Sequence, residues 1–111
     1  MKKITIGYSV ERENQEIFDG FFEVSLTKGD IEKTIEFIRD GHMTGELVDV
    51  PCHVFDKICE AMFEEAVQDL ENEGLDGLYE TDGLYLQKYL PNDLLEELPG
   101  DIVKIVVDNM I

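Results

Sequence analysis

The sequence predicts a single α+β domain over residues 1–111, in which a small antiparallel or mixed sheet of about three strands packs on helices. Three observations support this prediction: apolar alternation near the N-terminus, apolar residues at helical spacing in the middle, and a β-branched run near the C-terminus. The predicted elements are strands at 3–10, 21–27 and 102–107, main helices at 28–40 and 51–73, and a short helix at 92–98.

The first two strands follow from an alternation of apolar and polar residues with a period of two, which is typical of half-buried strands. The apolar positions are Ile4, Ile6, Tyr8 and Val10 in the first segment, and Phe22, Val24 and Leu26 in the second. Between them lie the polar stretch 11–16 and the turn pair Asp19-Gly20. We therefore expect an antiparallel pair joined by a long loop.

The helix at 28–40 has recognisable start and stop signals. Thr27 is followed three residues later by Asp30, which resembles a capping box. Ile31, Ile35 and Ile38 form an apolar stripe at helical spacing, and Gly41 can end the helix.

The helix at 51–73 begins at Pro51, where a helix-opening proline is favoured. Its apolar residues recur every three or four positions. They are Cys52, Phe55, Cys59, Met62, Phe63, Ala66 and Leu70. We expect this face, including Cys59 and Phe63, to be buried.

The C-terminal third is less regular. Asp-Gly-Leu-Tyr occurs twice, at 76–79 and 82–85, and its Asp-Gly pairs indicate turns. Whether 84–90 is strand or helix stays open at this point. A short helix at 92–98 is bounded by Pro91 and Pro99, and the run 102–107 is predicted to be the strongest strand because it is rich in β-branched residues.

The overall charge restricts the classes of function. The chain has 26 acidic and 9 basic residues, a formal net charge of −17, yet 43% of it is hydrophobic, so it should fold rather than remain a solvated acidic tail. Such a field repels phosphate backbones and anionic lipid, which argues against direct binding to nucleic acid or membrane. With two cysteines and no apolar leader or spanning run, the chain is expected to be a soluble cytoplasmic protein.

The acidic residues are concentrated in one region. Residues 59–86 contain no Lys or Arg. The acids there, which are the candidate partner-binding residues, are Glu60, Glu64, Glu65, Asp69, Glu71, Glu73, Asp76, Glu80 and Asp82. Four like-charge pairs at i,i+4, from Asp56/Glu60 to Asp69/Glu73, should together cost the helix about 1–2 kcal/mol. A sequence selected only for helix stability would avoid them.

We therefore predict a non-catalytic interaction domain whose acids bind a basic surface of another protein. Its sharpest form is an inhibitor that occupies the nucleic-acid site of a nucleic-acid-binding protein by mimicking the charge of the phosphate backbone. Two alternatives remain: a small homo-oligomerising domain whose charge serves only solubility, and a protein that binds divalent cations weakly through residues 69–82.

Metal and catalytic patterns are weak. Residues 69–80 fit an EF-hand loop only loosely, because Glu71 and Glu73 are longer than the usual ligands and Asp76 replaces an apolar residue. The soft ligands His42, Cys52, His53 and Cys59 lack a zinc spacing. Cys52, near a helix start, has no accompanying catalytic signature. No metal, cofactor or enzymatic activity is predicted.

Overall fold

The computed structural model describes residues 1–41 and 45–109, and it confirms a small α+β fold. A three-stranded antiparallel sheet has the order β2-β1-β3. Its strands are β1 (Lys2–Arg12), β2 (Gln15–Leu26) and β3 (Gly83–Leu86). The helices are α1 (Lys28–Arg39), α2 (Cys52–Asn72), α3 (Asn92–Leu95) and α4 (Gly100–Asn109), with a 3-10 turn at Leu47–Asp49. None of the helices in the described ranges is both long and apolar enough to cross a membrane.

The predicted inward faces of β1 and β2 are confirmed. Alternate residues of both strands are buried from Ile4 to Val10 and from Phe22 to Leu26. They join the buried residues of the helices in one hydrophobic core. Gly20 lies opposite Tyr8 on this face, and a Cβ there would come within 3.3 Å of the Tyr8 ring. The missing side chain therefore leaves room for the tyrosine.

The predicted long loop between β1 and β2 is wrong, because the strands continue to a tight hairpin. Arg12 pairs with Gln15, and the two residues between them, Glu13 and Asn14, have φ values of 54° and 65°. Both are in the left-handed conformation that a type I′ hairpin turn requires. The register shifts by one residue between Val10 and Glu11. Because the strands continue to this turn, the polar segment 11–16 forms the tip of the β1–β2 hairpin.

Helix α1 has the predicted capping box. Thr27 Oγ1 accepts a hydrogen bond from the Asp30 amide at 3.1 Å, and Asp30 Oδ2 accepts one from the Thr27 amide at 2.9 Å. Lys57 Nζ donates a hydrogen bond to the same buried carboxylate at 2.6 Å, and His53 Nε2 lies 3.3 Å from it. Asp30 thus joins the start of α1 to the first turns of α2.

The predicted buried face of α2 is partly wrong. Phe63 is 55% exposed, Cys52 is exposed, and Cys59 and Phe55 are half-buried. The buried stripe recurs every four residues and consists of Val54, Ile58, Met62, Ala66 and Leu70. The core therefore covers the side of α2 that includes Val54 and Ile58. Phe63 lies at the opposite edge of the apolar face of the helix, outside the core.

The predicted strand at 102–107 is wrong, since these residues belong to α4. The amides of Ile102 and Val103 donate to the carbonyl of Pro99, which begins the helix. Ile102 and Val106, four residues apart, are buried, and α4 packs against α1. Burial of this i,i+4 pair outweighs the strand preference of the β-branched side chains.

The third strand comes instead from the open segment 84–90. Residues Gly83–Leu86 pair antiparallel with β1, where Leu84 faces Val10 and Leu86 faces Tyr8. The short helix predicted at 92–98 forms as α3 over 92–95 and is followed by a turn. Asp93 Oδ2 accepts a hydrogen bond from the Thr5 amide at 3.0 Å. This bond satisfies an amide of β1 that lies outside the part paired with β3.

Candidate functional site

The acidic half of α2 and the loop after it lie at the hairpin end of the sheet. The N-terminal turns of α2 are held near α1 through Asp30, whereas its C-terminal half contacts Tyr8 and the following loop contacts Arg12, further along β1. Seven of the nine candidate acids are exposed; Asp69 and Asp82 are the exceptions. The nine divide into four groups according to what they contact.

The first group lies on the solvent side of α2. Glu60, Glu64 and Glu71 are all exposed, and at 100° per residue they point within about 40° of one another. The span from Glu60 to Glu71 is about 16 Å at 1.5 Å per residue. We call these three residues the helix ridge. They form a continuous row of carboxylates facing away from the core.

The second group lies on the flank of α2 that faces β2. Glu65 is exposed beside Phe22 and Glu23, while Asp69 Oδ2 accepts a hydrogen bond from the Tyr8 hydroxyl at 2.6 Å. Burial and then the Asp69 carboxylate raise the pKa of Tyr8 well above its usual value, so the phenol stays protonated and donates. Asp69 therefore fastens α2 to the sheet.

The third group, the loop acids, comprises Glu73, Asp76 and Glu80, all exposed. The backbone around them has left-handed conformations at Gly74 and Gly77, with φ of 76° and 79°, and at Asp76, with φ of 59°. These turns end α2 and fold the loop back toward the hairpin.

Asp82 is distinct because its carboxylate is fully buried by Arg12. Arg12 Nε donates to Oδ1 at 3.0 Å and Nη2 donates to Oδ2 at 2.9 Å, a bidentate pair. The same guanidinium donates to the Gly77 carbonyl at 3.0 Å and lies 4.0 Å from the centre of the Tyr79 ring. The hydrogen bonds from Arg12 and from the Tyr79 amide hold the pKa of Asp82 below its usual value. Asp82 therefore anchors the loop and is engaged within the chain.

The exposed acids have no salt-bridge partner in the described chain. Among residues 1–41 and 45–109, no salt bridge includes a residue of the helix ridge, a loop acid or Glu65. Arg12 reaches this end of the described chain, where it pairs with Asp82 and also interacts electrostatically with Asp76. The negative potential of the ridge is therefore not neutralised by a salt bridge within the described residues.

The hairpin adds acids that the sequence did not assign to this surface. Asp19 of β2 and Glu65 of α2 both lie close enough to Tyr8 to help raise its pKa, which places Asp19 near the flank of α2. Glu11 and Glu13 border a shallow hollow together with Thr81. The signal for this arrangement was Asn14, which adopts the left-handed conformation readily, within a segment that otherwise resembled a loop.

An apolar hollow lies between the other flank of α2 and strand β3. It has a volume of about 540 Å³ and is lined by Cys59, Glu60, Met62, Phe63, Glu64 and Leu84. Burial, and then the nearby Asp56 charge, raise the pKa of the Cys59 thiol, so it is neutral and poorly nucleophilic. We call this feature the Phe63 hollow. Two members of its rim, Glu60 and Glu64, also belong to the helix ridge.

The structure does not assemble an EF-hand. Helix α2 continues to Asn72, so Asp69 and Glu71 lie on the helix rather than in a loop. Across the described residues, no group of three or more His, Cys, Asp or Glu side chains could hold a metal ion. His53 faces Asp30, and His42 lies outside the described residues.

The fold and the surface together define a small α+β protein with exposed acids concentrated at one end beside an apolar hollow. No protein-family model, no curated protein and no solved structure matches the chain.

Proposed function

We propose that this protein is a non-catalytic interaction domain whose helix ridge and loop acids bind a basic surface of another protein. The observation that carries the proposal is that these six carboxylates are exposed and have no salt-bridge partner in the described chain. Uncompensated charge of one sign attracts and orients a partner of the opposite sign.

The way the acidic end is built also supports this proposal. The Arg12 clamp fixes the loop, and the Tyr8–Asp69 hydrogen bond fixes the C-terminal half of α2. The carboxylates are therefore presented on an ordered surface, so less conformational entropy is lost on binding.

The sharpest form of the proposal is an inhibitor of a nucleic-acid-binding protein. Counted along the sequence from Glu60 to Glu73, and including Glu65 and Asp69, six acids occupy about 20 Å of helix. This is one charge per roughly 3.3 Å, close to the phosphate spacing of about 3.4 Å along a DNA strand. Only the three ridge residues form one row, so the match lies in charge density more than in the shape of a strand.

Binding to a cationic probe at increasing salt tests the proposal. We compare the parent with a ridge variant, Glu60→Gln/Glu64→Gln/Glu71→Gln, and with a control variant, Glu32→Gln/Glu96→Gln/Asp108→Asn. Each variant lowers the net negative charge from −17 to −14, and the control residues are exposed and outside the salt bridges of the described chain. At low salt, the ridge variant should bind a fluorescent oligolysine about tenfold more weakly than the control variant does.

Equal binding by the two variants would show that only net charge matters and would overturn the proposal. Displacement of duplex DNA from a lysine-rich peptide by the parent, but not by the ridge variant, would support the inhibitor form.

A second candidate function is self-association without a functional role for the charge. Phe21 is 71% exposed and Tyr85 is 52% exposed, and both project from the side of the sheet opposite the core. Sedimentation of Phe21→Ala and of the parent tests it, since a dimer that forms through this face should dissociate in the variant.

A further inference from the structure

We infer that the partner binds through an amphipathic basic segment that inserts an apolar side chain into the Phe63 hollow and sets lysine or arginine side chains against the helix ridge. This inference rests on the proposed function of the same surface and names the chemistry of its partner.

Helix α2 has more apolar surface than the core covers. Val54, Ile58, Ala66 and Leu70 are fully buried in the core, whereas Phe63 is 55% exposed on the flank toward β3. An exposed aromatic side chain beside half-buried apolar neighbours, here Cys59 and Leu84 in an open hollow, is a feature of docking surfaces. The hollow of about 540 Å³ has room for a large apolar side chain from a partner.

The rim of the hollow is negatively charged. Glu60 and Glu64 border the hollow and have no salt bridge within the described residues. A wholly apolar segment would remove water from these carboxylates without replacing it, which is unfavourable. A segment with cations beside its apolar anchor compensates both carboxylates. A second copy of this chain would instead bring two acidic rims together.

The wall of the hollow opposite α2 is held in place by the sheet. Leu84 pairs with Val10 in the sheet, and the residue just before β3 is Asp82, which Arg12 clamps at 2.9 and 3.0 Å. The hollow is therefore formed before the partner arrives, which favours insertion of a rigid anchor.

The test uses two synthetic helical peptides of equal charge. One is a lysine-rich, alanine-based helix with two leucines four residues apart on one face, and the other has alanine in place of those leucines. The leucine peptide should bind the parent about tenfold more tightly. Phe63→Ala should abolish this difference. Phe21→Ala, which removes a phenylalanine that is 71% exposed on the outer face of the sheet, should preserve it.

The two free cysteines give a second readout without a mutation. Cys59 lines the hollow, whereas Cys52 is exposed about 10 Å away along the same helix. The leucine peptide should slow alkylation of Cys59 severalfold and leave that of Cys52 unchanged, while the alanine peptide should protect neither thiol.

The outcomes separate this inference from the proposed function. If the parent binds both peptides equally, or if Phe63→Ala retains the leucine advantage, the hollow is not the docking site. The acidic surface would still stand, provided that the ridge variant weakens binding of both peptides. If neither peptide binds the parent, both proposals are overturned.

Discussion

Helix α1 and helix α2 are stabilised in opposite ways. Helix α1 begins with a reciprocal capping box and has a cation, Arg39, in its last turn. Helix α2 has no side-chain cap at Pro51 and no basic residue in its last turn, where Glu71 faces the negative end of the helix dipole. The longer helix therefore depends on burial, whereas the shorter one also uses local hydrogen bonds and charges.

The difference shows where the sequence departs from what stability alone would select. In α1 the buried carboxylate of Asp30 contacts the Thr27 amide, Lys57 and His53. In α2 the exposed acids of the ridge have no salt-bridge partner within the described residues. Stability explains the first arrangement. The second lowers helix stability, which agrees with the proposed use of this surface in binding.

The largest expected effect tests whether burial holds α2. Ile58 is fully buried, and Ile58→Ala should lower the free energy of unfolding by about 2–5 kcal/mol. Phe63→Ala, five residues further along the same helix, should cost less, about 1 kcal/mol, because more than half of the side chain is exposed. Urea denaturation of both variants measures the contrast. Similar losses would mean that Phe63 contributes to the core after all.

The next effect concerns the charges that stabilise α1. Asp30→Ala removes the carboxylate of the capping box and the partner of Lys57, and it should cost about 1–3 kcal/mol at neutral pH. Burial alone would raise the pKa of Asp30, but hydrogen bonds from Lys57 and Thr27 outweigh it and hold this pKa below its usual value. The carboxylate therefore stabilises the fold above about pH 4, the ordinary range of an aspartate, and loses this effect as the pH falls further.

Denaturation of the parent and of Asp30→Ala at several pH values checks the sign of this effect. The difference in unfolding free energy should shrink as the pH falls below about pH 4. A difference that grows below about pH 4 would contradict the assignment of Asp30 as an ionised, stabilising acid.

A smaller effect of opposite sign is expected from the ridge. The ridge variant removes the Asp56/Glu60 and Glu60/Glu64 repulsions and the Glu71 charge at the helix end, so it should gain about 1 kcal/mol at low salt. The gain should decline as salt is added, because these charges are exposed. Thermal unfolding of the ridge variant and of the control variant measures it. A ridge variant that is less stable than the control would show that these acids stabilise the fold.

Local sequence signals predicted the parts of the fold that depend on neighbouring residues. Alternation identified the buried faces of β1 and β2, and the Thr27–Asp30 spacing identified the cap of α1. The errors arose where packing against residues distant in the sequence determines the local structure. Ile102 and Val106 fit either a strand or a helix, and their packing as a helix near α1 cannot be inferred from β-branching. On α2 the apolar arc is wider than the core, so the sequence could not show which edge stays exposed.

The same division applies to the candidate site. The density of acids between Glu60 and Glu80 was evident from the sequence, but the roles of Asp69 and Asp82 were not. Their partners, Tyr8 and Arg12, are 61 and 70 residues away along the chain. Only the folded sheet brings these residues together, and it separates two anchoring acids from those left exposed.

The smallest expected effect concerns Cys59, which is half-buried at the edge of the core. Cys59→Ala should change the free energy of unfolding by less than about 1 kcal/mol, because the side chain is half-buried and small. The raised pKa of this thiol also predicts slow alkylation at neutral pH, with the rate rising as the pH approaches the alkaline range. Mass spectrometry of the alkylated protein distinguishes Cys59 from the exposed Cys52 in one sample. Fast reaction of Cys59 at neutral pH would contradict the raised pKa and identify an activated thiol in the Phe63 hollow.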